Sequence, residues 1–278
     1  MTTIQVITAV LNPDEALLIT ARSLRMQTSP RWHWHIANGG ADTPALAHVR
    51  ALGDPRIVVA SQRDTGIYDA WNNACAASRA DWTLFLGAGD CLASADVIEL
   101  VHDALSGIDP TTPRLAFGHC RLVSPSGRHV VRVQVNNWQA MRGRYRYGKP
   151  SLPVHPETFH SAGLLAAQPP FDASYSIAGD VDIMLRAVRA SEPVTLPFVV
   201  ADVLMGGRSQ DPRAGFAILR EVRRACRENG FAVPPAARAS EFARTLAKYA
   251  AERVLGASRY ARMKEAVSRL MHPAPRHP

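Results

Sequence analysis

The first 118 residues alternate between short apolar, β-branched runs and segments of helical periodicity, and that alternation limits the fold more than any other feature. Thr3–Leu11 is a continuous apolar run, the pattern of a strand covered on both faces. Pro13-Asp14-Glu15 opens a helix whose Leu17, Leu18, Ala21 and Leu24 share one face, and Thr28-Ser29-Pro30 ends it. Trp32–Ala37, Arg56–Ala60, Asp81–Leu86 and Arg114–Phe117 read as further strands. Tyr68–Ser78 reads as a helix, as does a segment capped by Ser94 and running to about Leu105. The pattern predicts an α/β chain with a mostly parallel central sheet flanked by helices. Ligands of such sheets sit beyond the carboxyl ends of the strands, so the loops after Val10, Ala37, Ala60 and Leu86 are the ones to inspect.

Beyond a hairpin expected about Pro125-Ser126-Gly127 the pattern turns irregular. It resumes as a helix from about Asp180 to Ala190 and a strand over Pro193–Val203, closed by Gly206-Gly207. This second stretch reads as an elaboration of the sheet. At 278 residues and 47% hydrophobic, the chain is too apolar for disorder. It suits one large domain with an appendage, divided here into residues 1–210 (1–118 and 119–210 as its halves) and a helical extension over 211–278. That extension holds 14 Lys/Arg against 6 Asp/Glu and accounts for the whole net charge of +8. A neutral body with a basic tail argues against nucleic acid as a partner and for an anionic membrane surface reached through the extension. Phe216, Leu219, Val222 and Phe231, then Phe242, Leu246, Tyr249 and Val254, then Met263, Val267 and Leu270, give it amphipathic helices with basic outer faces. Packing on the body or on a second copy in a homodimer is the competing use of those helices.

No run approaches the roughly 20 apolar residues of a spanning helix. Met1–Val6 lacks the charged head of a secretory leader, so the expected location is cytoplasmic, peripheral at most on the inner face of the membrane. Cys75, Cys91, Cys120 and Cys226 are scattered, with no disulfide framework or zinc spacing.

Three clusters carry chemistry. Arg63–Asn73 packs a loop acid, Gly66, and a helix start bearing Tyr68, Asp69 and Asn72 into about ten residues. Gly87-Ala88-Gly89-Asp90 follows a strand, and Ile177-Ala178-Gly179-Asp180-Val181-Asp182 places carboxylates at a helix start. A dinucleotide fingerprint is excluded at Gly87-Ala88-Gly89, because Leu92 stands where its third glycine belongs and the strand is not the first.

These clusters, with Thr8–Asn12, Gln27-Thr28, Asn38–Asp42, Phe85–Asp90, His155–Phe159, Phe171-Asp172 and Gly206–Ser209, make the chain resemble the family 2 glycosyltransferases. It is similar above all to bacterial enzymes that assemble surface polysaccharides. The resemblance runs from about Ile4 to Ser209 and implies a GT-A fold. It implies an inverting transfer from a nucleotide-sugar donor to a saccharide or lipid-linked acceptor, with Mg²⁺ or Mn²⁺. It also implies site roles: donor binding by Thr8, Asn12, Asn38, Gly39, Asp64, Asp69 and Asn72, a metal ligand in Asp90, the general base in Asp180, and acceptor-side positions at His155 and Glu157. Gly87, Gly89 and Asn38 depart from the family pattern, which places acids there. Read without the family, Asp69 and Asn72 brace their loop and Asp180 caps a helix. A non-catalytic sugar-nucleotide or partner-binding relative stays open as an alternative. A nucleotidyltransferase stands lower, because Leu11-Asn12-Pro13-Asp14 is not the Gly- and Lys/Arg-rich loop it requires.

Overall fold

The apolar N-terminal run forms β1, Ile4–Val10, with all but Ala9 buried. A computed structural model describes residues 2–124, 129–207, 211–256, 258–260, 262–263 and 267. The expected hairpin turn at Pro125-Ser126-Gly127, Arg208-Ser209 and Leu270 lie outside the described residues. After β1, the Asp14 side chain accepts the Ala16 N–H and starts α1, Ala16–Arg25, which buries Leu17, Thr20, Ala21 and Leu24 on the sheet. β2 (Trp32–Asn38), β3 (Ile57–Ser61) and β4 (Trp82–Phe85) join β1 in parallel, in the order β3-β2-β1-β4. Their carboxyl ends therefore point the same way, as the alternating pattern requires.

Helices α2 (Pro44–Ala51), α3 (Ile67–Ala76) and α4 (Val97–Leu105) flank this block. α2 is absent from the sequence reading although its signal is ordinary: Thr43 accepts the Leu46 N–H through its hydroxyl and Pro44 occupies the first turn. Ser94 is not the cap of α4. The helix starts from Asp96, and the free Ile98 N–H is taken by the Gln27 side chain from α1, a long-range contact that no local pattern announces.

The sheet then continues through antiparallel partners. β10 (Thr158–Ser161) lies between β4 and β6 (Leu115–Val123), antiparallel to both. β11 (Val194–Leu204) runs parallel to β6 and antiparallel to the short β5 (Cys91–Leu92), and β7 (Val130–Gln134) pairs with β6. β6 crosses position 118, so both halves of the body share one sheet. The elements α5 (Trp138–Met141), the hairpin β8–β9 (Tyr145–Arg146, Lys149–Pro150), α6 (Ala162–Leu165) and α7 (Gly179–Ala190) complete the second half.

The extension forms α8 (Gly215–Glu228) and α9 (Pro235–Leu255). α8 buries Leu219, Val222, Ala225 and Cys226, and Val222, Ala225 and Cys226 belong to the same core as Ile7, Phe85, Phe171 and Ile183. Its inner face is thus continuous with the interior of the body. Among the described residues no helix is long and apolar enough to cross a membrane.

Candidate active site

Beyond β1, β2 and β3 lies the first cluster. Asn12 follows β1 with φ +55°, and its side-chain Oδ1 accepts the Ala41 N–H at 3.2 Å. Asn38 ends β2, fully buried, with its side chain turned into the loop: Oδ1 accepts from Gly40 N–H, and Nδ2 donates to Gly40 O and Ser61 Oγ. It therefore secures the turn. Asp64 accepts the Gly66 N–H on Oδ1 and lays its other oxygen over Gly39. A Cβ on Gly39 would stand 2.1 Å from that oxygen, so only glycine admits this approach. Asn12, Gly39 and Asp64 are thus brought together at one edge.

Three other expected donor residues have their side chains committed to the fold. The Thr8 hydroxyl is fully buried and accepts the Trp34 indole N–H at 2.9 Å. Asp69 accepts the Thr65 N–H and hydroxyl, closing the loop ahead of α3. Asn72 pairs with the backbone of Phe171 in both senses, donating to its carbonyl and accepting from its N–H, each at 2.9 Å. That pair joins α3 to the segment leading into α7.

Asp90 stands beyond β4. Its Oδ2 accepts the Gly87 N–H and its Oδ1 the Leu204 N–H, which ties the loop to the end of β11. Burial pushes its carboxyl up to about 6 against the pull of those two donors. Gly89 has φ +96° and its Cβ position meets Leu204 at 3.0 Å, so an acidic side chain there would need a strained backbone. Among the described residues no group of three or more His, Cys, Asp or Glu could hold a metal ion. The carboxylate of Asp90 can still offer a lone pair, so its chemistry fits a hard divalent ion whose remaining ligands are phosphate oxygens and water.

His155 and Glu157 occupy a 3-10 turn just before β10. His155 stacks on Phe85 at 5.0 Å and lies 4.9 Å from Trp71, and burial with the neighbouring His160 holds it well below the usual imidazole range. It is a neutral ring inside an aromatic block. Glu157 is fully buried, accepts from Asn136 Nδ2 and the Val154 N–H through Oε1, and is pushed up to about 7 by burial.

Asp180 sits in the first turn of α7, half-buried, its Oδ1 accepting the Val181 N–H. Burial raises its carboxyl, while Lys149 on β9 draws it down and Glu221 on α8 adds to the rise. Tyr68, in the first turn of α3, lies against the backbone of Gly179 and Asp180, and its hydroxyl is raised by burial and by the Asp180 charge. The Tyr68 ring packs on Trp71 and Phe171, and Trp71 packs on Phe85. One aromatic block therefore links the strand that leads to Asp90 with the helix that carries Asp180.

Residues 5–164 match the glycosyl transferase family 2 model. The chain is 30% identical over 223 residues to an uncharacterized glycosyltransferase of Mycobacterium tuberculosis, spanning 79% of this chain and 82% of that one. It is 26% identical over 185 residues to a PGL/p-HBAD biosynthesis glycosyltransferase of Mycobacterium bovis, spanning 65% and 68%. The structure resembles Staphylococcus aureus TarS 1–349 in complex with UDP-GlcNAc, with TM-score 0.60 and 15% identity over 88% of this chain and 72% of that one. It also resembles the mannosyltransferase PcManGT of Pyrobaculum calidifontis in complex with GDP-Man and Mn²⁺, with TM-score 0.58 and 14% identity over 99% and 76%. The fold is that of the GT-A glycosyltransferases. With a family match over more than half its length and a relative at 30% identity across most of both chains, this chain belongs to glycosyltransferase family 2.

Proposed function

We propose that this glycosyltransferase performs a single, inverting displacement on a nucleoside-diphosphate sugar, with Asp180 as general base. The observation that carries the reading is Asp180 itself: a half-buried carboxylate, raised by burial, in the first turn of α7 beside the aromatic block that leads to Asp90. A base is most effective when its proton affinity approaches that of the working pH, and burial moves a carboxyl that way. The acceptor hydroxyl oxygen forms a bond to the anomeric carbon, the bond from that carbon to the phosphate oxygen breaks, and the hydroxyl proton passes to the Asp180 carboxylate. Displacement from the opposite face inverts the configuration without a covalent enzyme intermediate.

Asn12, Gly39 and Asp64 receive the nucleoside at the ends of β1–β3. Asp90 would hold a divalent ion together with the donor's phosphates, and such an ion neutralises the departing diphosphate. A donor of this class accords with the UDP-GlcNAc and GDP-Man bound by the two structural neighbours. The mycobacterial relative named for PGL/p-HBAD biosynthesis accords with a saccharide or lipid-linked acceptor in bacterial glycan assembly. Attachment to an anionic membrane surface is assigned to α9, where Leu246 and Val254 are exposed alongside Arg238, Lys248 and Arg253. Lys248→Glu with Arg253→Glu should weaken low-salt binding to vesicles containing phosphatidylglycerol, and unchanged binding rejects that assignment.

The central test uses UDP-GlcNAc and GDP-mannose, each with and without Mn²⁺, in a thermal-shift assay and then in turnover with saccharide acceptors. Asp180→Asn should keep the donor-induced stabilisation and lose acceptor-dependent release of nucleoside diphosphate. Retained turnover refutes the base assignment. Donor binding with no turnover in the parent protein under any acceptor identifies a non-catalytic relative, the outcome that the isolated Asp90 would favour.

A further inference from the structure

The residues that place Asp180 come from outside the body to which the sequence assigns it. Segment 172–178, which feeds α7, is fastened along α8. Arg224 donates to Asp172 Oδ2 at 2.7 Å and to Ser174 Oγ at 2.8 Å, and the Tyr175 hydroxyl donates to Glu228 at 2.9 Å. Next to α7 itself, Glu221 is 7% exposed and accepts the N–H groups of Ser176, Ile177 and Ala178 and the Ser176 hydroxyl, at 2.6–3.1 Å. Three successive backbone donors converging on one carboxylate at a helix entrance form an anion nest. Burial works to raise Glu221, but these bonds prevail and hold it below the usual carboxylate range, so it is a fixed negative charge.

Lys149, on β9, is the cation whose charge acts on Asp180. Its hairpin is seated on the same extension: the Tyr145 hydroxyl donates to Ala232 O, Arg244 of α9 covers the Tyr147 ring at 4.4 Å, and Gly148 abuts Glu241. Lys149 is half-buried, with Asp180 and Cys226 of α8 as its interacting anionic-side groups and Arg146 as its cationic neighbour. Among the described residues, Tyr68 from α3, Lys149 from β9 and Glu221 from α8 are ionisable groups acting on Asp180.

We propose that Glu221, by fixing the entrance of α7, is the positioning residue of Asp180, so that α8 is a working part of the catalytic site, with Lys149 and Glu221 as an electrostatic bracket of opposite charges on Asp180. This rests on the reading of Asp180 as the base, but the bracket can be observed without turnover. Lys149 supplies the cation that favours the carboxylate form of Asp180 against burial. Glu221 fixes the turn from which Asp180 projects and, as a like charge, opposes that cation.

The experiment is a carboxyl-¹³C NMR titration of the full chain, with the Asp180 signal assigned by its loss in Asp180→Asn. Lys149→Met should move the Asp180 titration to higher pH, Glu221→Gln should move it to lower pH, and Lys149→Arg should restore the parent value. The acidic limb of kcat/KM should follow in the same two directions, with kcat falling while donor KM holds. An unmoved Asp180 titration in Lys149→Met, or movement in the same direction in both variants, overturns the proposal. If Glu221→Gln does not fold, Glu221→Asp, which keeps the charge but shortens its reach to the 176–178 amides, takes its place and should lower kcat with donor KM held; an unchanged kcat overturns the positioning role. Opposite shifts accompanied by full transfer in Asp180→Asn would retain the bracket and reject the base.

Discussion

Replacing Asn72 by alanine separates two uses of a residue that sequence alone leaves joined. In the structure both polar atoms of its side chain are committed to Phe171, at 2.9 Å each, and the residue is 9% exposed. Alanine removes both hydrogen bonds and strands a backbone N–H and C=O in a dry region, at about 1–3 kcal/mol apiece when no water replaces the amide. The cost should fall near 3 kcal/mol, about 6–12 °C in melting temperature for a domain of this size. Asn72→Asp is the sharper variant. It keeps an acceptor for the Phe171 N–H but faces the Phe171 carbonyl with a second oxygen, and it should be at least as destabilising. The assay is denaturant unfolding beside donor titration by calorimetry. If Asn72→Ala weakens donor binding at least tenfold while leaving stability unchanged, Asn72 touches the donor and the bracing role is wrong.

Thr8→Val retains volume but leaves the Trp34 indole N–H without its buried acceptor. It should cost about 1–3 kcal/mol in urea unfolding with donor affinity unchanged. Glu157 is raised from 4.5 to about 7, so its contribution to stability is complete below about 4.5 and lost as pH climbs through 7. Glu157→Gln should erase that decline, worth about 3 kcal/mol across the interval, and melting curves from pH 5 to 8 that stay parallel to the parent's would contradict it. Gly39→Ala places a methyl 2.1 Å from Asp64 Oδ2, so it should weaken donor binding, and it should add little to Asp64→Ala in a double-mutant cycle. Additive losses would place Asp64 elsewhere in the free protein.

What the sequence reveals and what it conceals follow from the range of the interactions. β1 announces itself because both faces are apolar, and α1 because Asp14 and the Leu17–Leu24 stripe lie within one local window. β10 does not, because Thr158–Ser161 is a strand only through pairing with β4 and β6, which lie about 75 and 40 residues away along the chain. The Gln27 cap on α4 is hidden for the same reason. Asn12, Gly39 and Asp64 are recognisable as residues of a loop-edge site, whereas the inward turn of Thr8, Asn38 and Asn72 depends on Trp34, Gly40, Ser61 and Phe171. Glu221 did have a local signal. It falls on the side of α8 shared with Ile218 and Ala225, and an acid on a buried face must find donors somewhere.

The charge of the basic tail is not all available at its surface. Its net charge, read along the chain, resembles one attachment device, yet the two helices divide the work. On α8, Arg224 is drawn to Asp172 and Glu228, and Cys226, Ala225 and Val222 are core, so excising the extension at Asp211 would open the interior and unseat the turn that carries Asp180. At the junction with α9, Arg213 is held by Glu252, and Arg244 is held by Glu241 and lies over Tyr147. Those cations are internal fasteners whose fields are largely cancelled at close range. Arg220, Arg223 and Arg227 remain exposed on the outer face of α8, and Arg238, Lys248 and Arg253 on α9. Attraction to an anionic surface would draw on these exposed cations of both helices and the residues beyond, and point reversals on α9 rather than truncation isolate its share from the fold.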